Sequence, residues 1–276
     1  MKTKIIAEIA SSHNGDMELA KAMIRAAADA GADIVKFQSW QAKNVADTDP
    51  DKKRYEKLEL SDDDHLVLIE ECKKAGVEFL TTCFDIERIP FLKSLNLKKI
   101  KVPSVNLKEP RLLEALAKNF EHIFIATGMS NAEEIENAIK ILSKVKYTIM
   151  HCVSIYPTPL EKANLKKIEW LKKLSPSIGY SDHTLGVEAP IVAMGMGIDY
   201  LEKHLTLSRY LPQDTHVTAE GTLPITTHTI ACEPHELKKI CDWAKKIEQI
   251  KGDGHLEMYP EEELTRKKYT GRLGKI

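Results

Sequence analysis

Two histidines end apolar, strand-like runs of this sequence, and polar side chains accompany each of them. His183 lies in YSDHTLG, two positions after Ser181, and His204 lies in LEKHLT, two positions after Glu202. Strand side chains alternate, so Ser181 shares a face with His183, and Glu202 shares one with His204. Two imidazoles with oxygen ligands nearby suit a divalent metal that keeps open coordination positions. A single such histidine is more typical of a strand-end hydrogen bond, but two at equivalent positions favour a metal site.

Two lysines lie inside other apolar runs, where a cation is costly unless it meets an anion. Lys36 lies in DIVKFQS and Lys101 in KIKVPS, with hydroxyl side chains close to both. The pair therefore predicts a small polyanionic ligand such as a phosphorylated carboxylate. For Lys101 a solvated strand edge is an alternative, because Lys98 and Lys99 are its neighbours. This alternative is weaker for Lys36.

Composition and charge exclude several classes of function. The formal net charge of the 276-residue chain is −1, which predicts binding neither to nucleic acid nor to a membrane surface. The N-terminus turns polar too early for a signal peptide, and no apolar run reaches the roughly 18 residues of a membrane span. Five cysteines without paired spacing predict free thiols in a reducing compartment, so we expect a cytoplasmic protein.

The elements that would position these residues repeat eight times along the chain. Short β-rich runs alternate with helical patterns, which is typical of a closed (β/α)8 TIM barrel, an α/β fold that forms a single domain of about 250 residues. A doubly wound open sheet is the second choice, because no glycine-rich dinucleotide loop is present. The runs begin and end at 4–11, 33–39, 78–84, 99–104, 123–128, 147–154, 177–183 and 199–205.

The barrel prediction places the polar strand ends together at one face. Active sites of this fold lie at the carboxyl ends of the strands, and the two long connections, 40–60 and 207–233, both follow a strand. We expect the barrel to occupy residues 1–252 and a charged C-terminal extension to occupy 253–276. Cys152 and its neighbour His151 are not expected to act as a pair, because adjacent strand residues point to opposite faces.

Six motifs resemble those of the sialic acid synthase family, in the same order and spacing along residues 4–250. They are AEIASSHNGD, AGADIVKFQ, ATGMSNAEEIENAI, HCVSIYPTP, GYSDHTLGVEAP and LEKHLT. Members of that family condense phosphoenolpyruvate with an amino sugar to give nine-carbon ulosonic acids. The resemblance implies a transferase that forms a carbon–carbon bond, with phosphoenolpyruvate and an aldose as its small-molecule substrates.

The resemblance also implies roles for individual residues. His183 and His204 match the metal ligands, and the family supplies the preference for Mn²⁺, with Mg²⁺ or Co²⁺ as alternatives. The residues expected to bind phosphoenolpyruvate are Lys36, Thr82, Lys101, Ser104, Ser154 and Ser181. The residues expected to act in catalysis are Glu8, Lys36, Gln38, Lys101, Tyr156 and Asp214, with Glu8 and Gln38 facing the sugar.

Several positions depart from the family pattern. Asn106 replaces a carboxylate, Ala126 a serine and Ser154 an asparagine. The loop after the eighth strand carries an apparent insertion, VTAEGTLPITTHT, and the sequence stops where the family usually continues into a small antifreeze-like domain. We expect that domain to be supplied by a separate protein, or the sugar to be bound without it, and a homodimer fits the exposed barrel helices.

Two other functions remain open at this point. The three replaced residues favour a catalytically impaired homologue that binds a sugar acid. A metal-dependent aldolase or lyase that cleaves a sugar acid is the other alternative, and its use of pyruvate would distinguish it.

Overall fold

The eight β-rich runs form a closed barrel in the computed structural model, which describes residues 2–212, 216–218, 221–223 and 227–272. All neighbouring strands are parallel, and the last strand pairs with the first. The predicted TIM barrel is therefore confirmed, and the doubly wound sheet is wrong. The strands are β1 (Lys4–Glu8), β2 (Ile34–Ser39), β3 (Glu78–Cys83), β4 (Lys99–Val102), β5 (His122–Ala126), β6 (Lys146–Cys152), β7 (Ile178–Asp182) and β8 (Tyr200–His204).

Helices connect the strands, and they begin and end at residues that are typical of helix termini. Ser61 caps the helix that follows it through a capping box with Asp64, and Gly76 ends that helix at φ +74°. The described helices are α1 (Met17–Ala30), α2 (Lys52–Leu58), α3 (Asp62–Ala75), α4 (Ile89–Ser94), α5 (Pro110–Asn119), α6 (Ala132–Leu142), α7 (Lys167–Leu171), α8 (Glu188–Gly195), α9 (Thr227–Ile230), α10 (Pro234–Lys251) and α11 (Glu262–Tyr269). Two short antiparallel strands, β9 (His216–Thr218) and β10 (Gly221–Leu223), lie in the connection after β8.

Most strands end earlier than their sequence patterns predict. β4 ends at Val102 because Pro103 has no N–H to donate to the sheet, so Ser104 begins a short 3-10 turn instead. Ser154 and His183 likewise lie one or two residues past their strands. These side chains therefore stand on the loops that rim the barrel.

The inside of the barrel is divided into an apolar lower level and a polar upper level. The lower level is one buried cluster that includes Ile6, Ile34, Leu80, Phe124 and Met150. Because strand residues two apart share a face, the next inward positions toward the carboxyl ends lie above this plug. They include Glu8, Lys36, Thr82 and Glu202, and all are buried. The apolar plug thus closes the barrel from below and leaves a polar chamber above it.

Of the described residues after α10, 252–272, all are exposed except the half-buried Glu263, and α11 contains no buried residue. The predicted boundary between residues 252 and 253 stays a prediction, as does the homodimer. All five cysteines are free and buried. No described helix has both the length and the hydropathy needed to span a bilayer.

A buried ion pair on the outer face of the barrel joins β7 to β8. Lys203 Nζ lies 2.6 Å from Asp182 Oδ2, and both side chains are at most 1% exposed. Asp182 also accepts hydrogen bonds from Tyr180 and Thr184, and Lys203 donates to the Thr184 carbonyl. Asp182 precedes His183 and Lys203 precedes His204, so this pair fixes the strand ends that carry the two histidines.

We predict that Lys203→Met lowers the free energy of unfolding by about 3–5 kcal/mol, because it leaves the Asp182 carboxylate buried without its cation. Lys238→Met is the matched control, since Lys238 pairs with Asp242 on the exposed face of α10 and such pairs contribute about 0–1 kcal/mol. Denaturant unfolding of the two variants measures both values, and equal losses would contradict the structural role of Asp182–Lys203.

Candidate active site

A cavity of about 820 Å³ opens at the carboxyl ends of the barrel strands. All of the described residues that the sequence predicts for the site line this cavity, namely Glu8, Lys36, Gln38, Thr82, Lys101, Ser104, Ser154, Tyr156, Ser181, His183 and His204. Asp214 lies outside the described residues. The structure therefore brings the predicted set together, while the role of each residue stays a prediction.

The two lysines meet two carboxylates at the base of the cavity. Lys36 contacts Glu8 and lies 3.8 Å from the second carboxylate, Glu202. Lys101 contacts the other oxygen of Glu202. All four side chains are at most 5% exposed. The solvated-edge alternative for Lys101 is therefore wrong, and the anions that the lysines meet in the structure are the protein's own.

The two carboxyl groups differ in acidity because their surroundings differ. Burial, reinforced by the nearby charge of Glu202, raises the pKa of Glu8 from 4.5 to about 7, although Lys36 opposes the rise. Burial acts on Glu202 in the same direction, but Lys101 and Lys36 outweigh it and lower the pKa of Glu202 to about 2. Glu202 thus stays ionised between the two ammonium groups, while Glu8 can exchange a proton near neutral pH.

Small hydroxyl side chains surround the space beside the lysines. Thr82 accepts a hydrogen bond from Lys36 at 2.8 Å, and Ser181 donates to Glu202 at 2.8 Å. Ser104 accepts from the backbone N–H of Gly128 at 3.0 Å. A Cβ at Gly128 would stand 2.2 Å from Ser154 Oγ and 2.7 Å from Ser104 Oγ, so only glycine keeps this recess open.

The two histidines face each other at the edge of the cavity. Their ring centroids are 5.5 Å apart, and Tyr156 packs on His183 at 4.3 Å. His183 Nδ1 lies 2.8 Å from the Val153 carbonyl, which fixes the ring and directs Nε2 away from that carbonyl. His204 Nδ1 is buried without a hydrogen-bond partner.

This arrangement fits a divalent ion held by the two imidazoles. A histidine nitrogen lies about 2.1 Å from a bound metal, so two rings that share an ion must lie side by side, as these do. The unpartnered nitrogen of His204 is the kind of buried donor atom that a metal would satisfy. Within the described ranges, however, no cluster of three or more His, Cys, Asp or Glu side chains is placed to hold a metal. The predicted Mn²⁺ stays a prediction.

Sequence reasoning placed Glu202 on the same face as His204 but did not assign it to the site. Its spacing from His204 was the available signal, and its position between two lysines could not be seen from local sequence. The prediction for Cys152 is confirmed, because His151 stacks on Tyr180 outside the barrel while Cys152 lines the cavity. There Cys152 Sγ lies 3.8 Å from Nδ1 of a different histidine, His183.

The three departures from the family pattern have different consequences. Asn106 donates a hydrogen bond to Glu109 at 2.9 Å and does not line the cavity. Ala126 and Ser154 do line it, and Ser154 Oγ is buried without a partner. The replacement at position 106 therefore acts at a distance from the cavity, whereas the other two change its surface.

Comparisons with known proteins agree with this geometry. The model of the NeuB family matches residues 23–256. The chain belongs to the NeuB family. The predicted family is thus confirmed, and with it the enzyme class, since the relatives are named as sugar-acid synthases.

Three of these NeuB relatives show how far the likeness extends. N,N'-diacetyllegionaminic acid synthase of Campylobacter jejuni is 38% identical over 92% of this chain and 78% of its own length. N-acetylneuraminate-9-phosphate synthase of Mus musculus is 29% identical over 93% and 73%. The crystal structure of N-acetylneuraminic acid synthetase from Leptospira borgpetersenii, solved with citrate, superposes with a TM-score of 0.85 at 32% identity, covering 99% of this chain and 93% of that one.

The raised pKa of Glu8 predicts an unusual dependence of stability on pH. The folded pKa of about 7 exceeds the ordinary value of 4.5, so the folded protein holds more protons than the unfolded chain between these values. Wild type should therefore lose stability relative to Glu8→Gln as the pH rises from 4.5 to 7. Denaturant unfolding at several pH values between 4.5 and 7 measures the difference in the free energy of unfolding. A wild type that becomes more stable relative to the variant as the pH rises would contradict the prediction.

Proposed function

We propose that the protein condenses phosphoenolpyruvate with an aldose to give a 3-deoxy-ulosonic acid and phosphate. The observation that carries this proposal is the pair Lys36 and Lys101, buried side by side with Glu202 between them. They adjoin a recess that Gly128 keeps open beside Ser104 and Ser154. Two ammonium groups, hydroxyl donors and a recess for a small group match the carboxylate and phosphate of phosphoenolpyruvate.

The lysines act on charge that moves during the reaction. When C3 of phosphoenolpyruvate attacks the aldehyde carbon of the sugar, C2 becomes electron-poor, water adds there, and the C–O bond to phosphate breaks. The water oxygen becomes the keto oxygen of the product. One hydrogen of this water accounts for the hydrogen of the new hydroxyl group, and the other leaves with phosphate. Lys36 and Lys101 place two ammonium groups beside the substrate, and these stabilise the negative charge of the departing phosphate.

Glu8 and Gln38 serve the acceptor in this proposal. Gln38 donates a hydrogen bond to Glu8 Oε1 at 3.0 Å, which orients the carboxyl group. With a pKa of about 7, Glu8 is a suitable acid for the aldehyde oxygen as that oxygen becomes a hydroxyl. Its neighbour in the sheet register is His204, so the proton source and the histidine pair lie on adjoining strands.

His183 and His204 are the residues that would hold the divalent ion, and the ion would supply Lewis-acid polarisation of the aldehyde oxygen. His204 meets the requirement for a neutral nitrogen ligand, since burial and the proximity of His183 lower its pKa well below its usual range. For His183, burial lowers the pKa, but the neighbouring Cys152 and the Val153 carbonyl outweigh it and raise the pKa, so an ion would compete with a proton at this ring. Tyr156 packs on His183 and restricts its rotation.

A sugar-acid-binding homologue without turnover is the second candidate. Ala126 and Ser154 favour it, because both change side chains on the cavity surface relative to the family pattern. Isothermal titration with a 3-deoxy-ulosonic acid, run beside the phosphate-release assay, separates the two candidates. Tight binding with no release of phosphate in the presence of metal would support the second, and turnover with pyruvate in place of phosphoenolpyruvate would instead identify an aldolase.

The main test is release of phosphate from phosphoenolpyruvate, which we expect to require both an aldose and a divalent metal. His183→Ala and treatment with a chelator should each abolish it, and Mn²⁺ should restore only the chelated wild type. His235→Ala is the matched control, since His235 is exposed on α10. Absence of release across neutral, N-acylated and phosphorylated aldoses with Mn²⁺, Mg²⁺ and Co²⁺ would refute the proposed reaction.

Gly128→Ala tests the phosphoenolpyruvate site without touching a charged group. The added methyl would fill the recess beside Ser104 and Ser154. The methyl would occupy space that the bound phosphoenolpyruvate needs, so we expect its KM to rise roughly tenfold, which corresponds to about 1.4 kcal/mol of binding free energy. Gly195→Ala is the control, because its Cβ would meet nothing within 4 Å at the end of α8. An unchanged KM in the first variant would place the phosphoenolpyruvate elsewhere.

A further inference from the structure

The connection after β6 folds back over His183. The Val153 carbonyl lies 2.8 Å from His183 Nδ1, and the Tyr156 ring packs on the imidazole with ring centroids 4.3 Å apart. The backbone N–H of Thr158 donates to the His183 carbonyl, also at 2.8 Å. Residues 153–158, which we call the β6 loop, therefore hold both the ring and the backbone of this histidine.

The Val153 carbonyl determines which nitrogen of His183 carries the proton. A carbonyl oxygen only accepts, so Nδ1 donates to it, and Nε2 of the neutral ring keeps the lone pair that a metal ion needs. Nδ1 has a second neighbour, Cys152 Sγ, at 3.8 Å. A thiol donates as well as accepts, and a hydrogen bond from Cys152 to Nδ1 would leave the ring proton on Nε2, where it would block an ion. The position of the Val153 carbonyl therefore decides whether this ring is ready to act as a ligand.

Thr158 closes the β6 loop. Its hydroxyl donates to the Ile155 carbonyl at 2.7 Å and lies 3.3 Å from the Val153 carbonyl. Its backbone forms an isolated parallel bridge with Thr184, the residue directly after His183. Thr158 is 4% exposed and is not one of the described residues that line the cavity. It can therefore influence the site through the loop but not by contact with a substrate.

We propose that Thr158 is a positioning residue for His183: its hydroxyl and its N–H hold the β6 loop in the conformation in which the Val153 carbonyl orients the imidazole. The inference rests on the proposed function, which assigns a divalent ion to His183 and His204. Without the hydroxyl, the Ile155 carbonyl loses its donor and the turn that carries the loop back to His183 loosens. Groups that orient a metal-binding histidine change metal affinity by about 10–100-fold when they are replaced. The affinity for the ion therefore depends on a side chain outside the cavity.

The experiment measures Mn²⁺ binding to the whole chain directly, by the electron paramagnetic resonance signal of the free ion. Thr158→Val keeps the shape of the side chain and removes its hydroxyl, and we expect the Kd for Mn²⁺ to rise roughly tenfold. Thr158→Ser keeps the hydroxyl and should bind Mn²⁺ as wild type does. The Mn²⁺ that His183→Ala still binds defines binding elsewhere on the protein and is subtracted. An unchanged Kd in Thr158→Val overturns the proposal.

Thr3→Val is the matched control for the loss of a buried hydroxyl. Thr3 is also 4% exposed, and its hydroxyl donates to the Ile198 carbonyl at 2.7 Å, just before the amino end of β1. Both variants thus lose one buried hydrogen bond from a threonine hydroxyl to a backbone carbonyl, and denaturant unfolding should show similar losses of stability. Thr3→Val should keep the wild-type Kd for Mn²⁺. An equal loss of Mn²⁺ affinity in the two variants would trace the effect to general destabilisation and overturn the role of Thr158.

The wild-type measurement separates this inference from the proposed function. A wild-type protein that binds no more Mn²⁺ than His183→Ala overturns the assignment of the ion to the two histidines, and the inference falls with it. Wild-type binding at His183 with an unaffected Thr158→Val variant overturns the inference alone and leaves the assignment of the ion intact.

Discussion

The requirement that buried charges be neutralised governs the upper half of this barrel. Lys36, Lys101, Glu8 and Glu202 lie above an apolar plug with at most 5% of each side chain exposed. An isolated ion in such a place is costly, so each charge must find an opposite one at contact distance. Glu8 of β1 and Lys36 of β2 are direct neighbours in the sheet, whereas Lys101 of β4 meets Glu202 of β8 across the barrel, which makes the closed sheet a condition for the site as well as for the fold. A shift of one residue in any of these strands would turn the charge outward.

The architecture and most of the site could be predicted from local patterns. Alternation along β7 and β8 placed His183 and His204 on the inward face beside Ser181 and Glu202, and the eightfold repeat made their strands neighbours. A buried lysine in a strand predicts an anionic partner by the same physical argument that explains Lys36 in the structure. The predicted ends of the strands were less accurate. Ser104, for example, belongs to a β-rich run of the sequence, but Pro103 ends the strand before it.

The pairing of charges could not be predicted, because it depends on which side chains cross the barrel. Lys101 and Glu202 are 101 residues apart in the sequence, and their contact depends on barrel closure rather than on any local signal. The sequence predicts an external anionic ligand for both lysines, whereas in the structure the two lysines pair with Glu8 and Glu202 of the protein itself. The contacts of Trp40 with Tyr55 and Phe84 at the cavity escaped prediction for the same reason, since Tyr55 reaches Trp40 from a helix in a long polar connection.

Internal neutralisation has a consequence for catalysis under the proposed function. A ligand with several negative charges must compete with Glu8 and Glu202 for the same two ammonium groups. Glu202 stays ionised because two lysines hold its pKa near 2, but Glu8 is already close to its pKa at neutral pH. An anion that draws Lys36 away removes the attraction that keeps Glu8 ionised, so its pKa rises further and it takes up a proton. Binding of phosphoenolpyruvate would then protonate Glu8, the acid that the reaction of the aldose needs. The charged groups at the base of the cavity are in this way coupled to the chemistry at the acceptor.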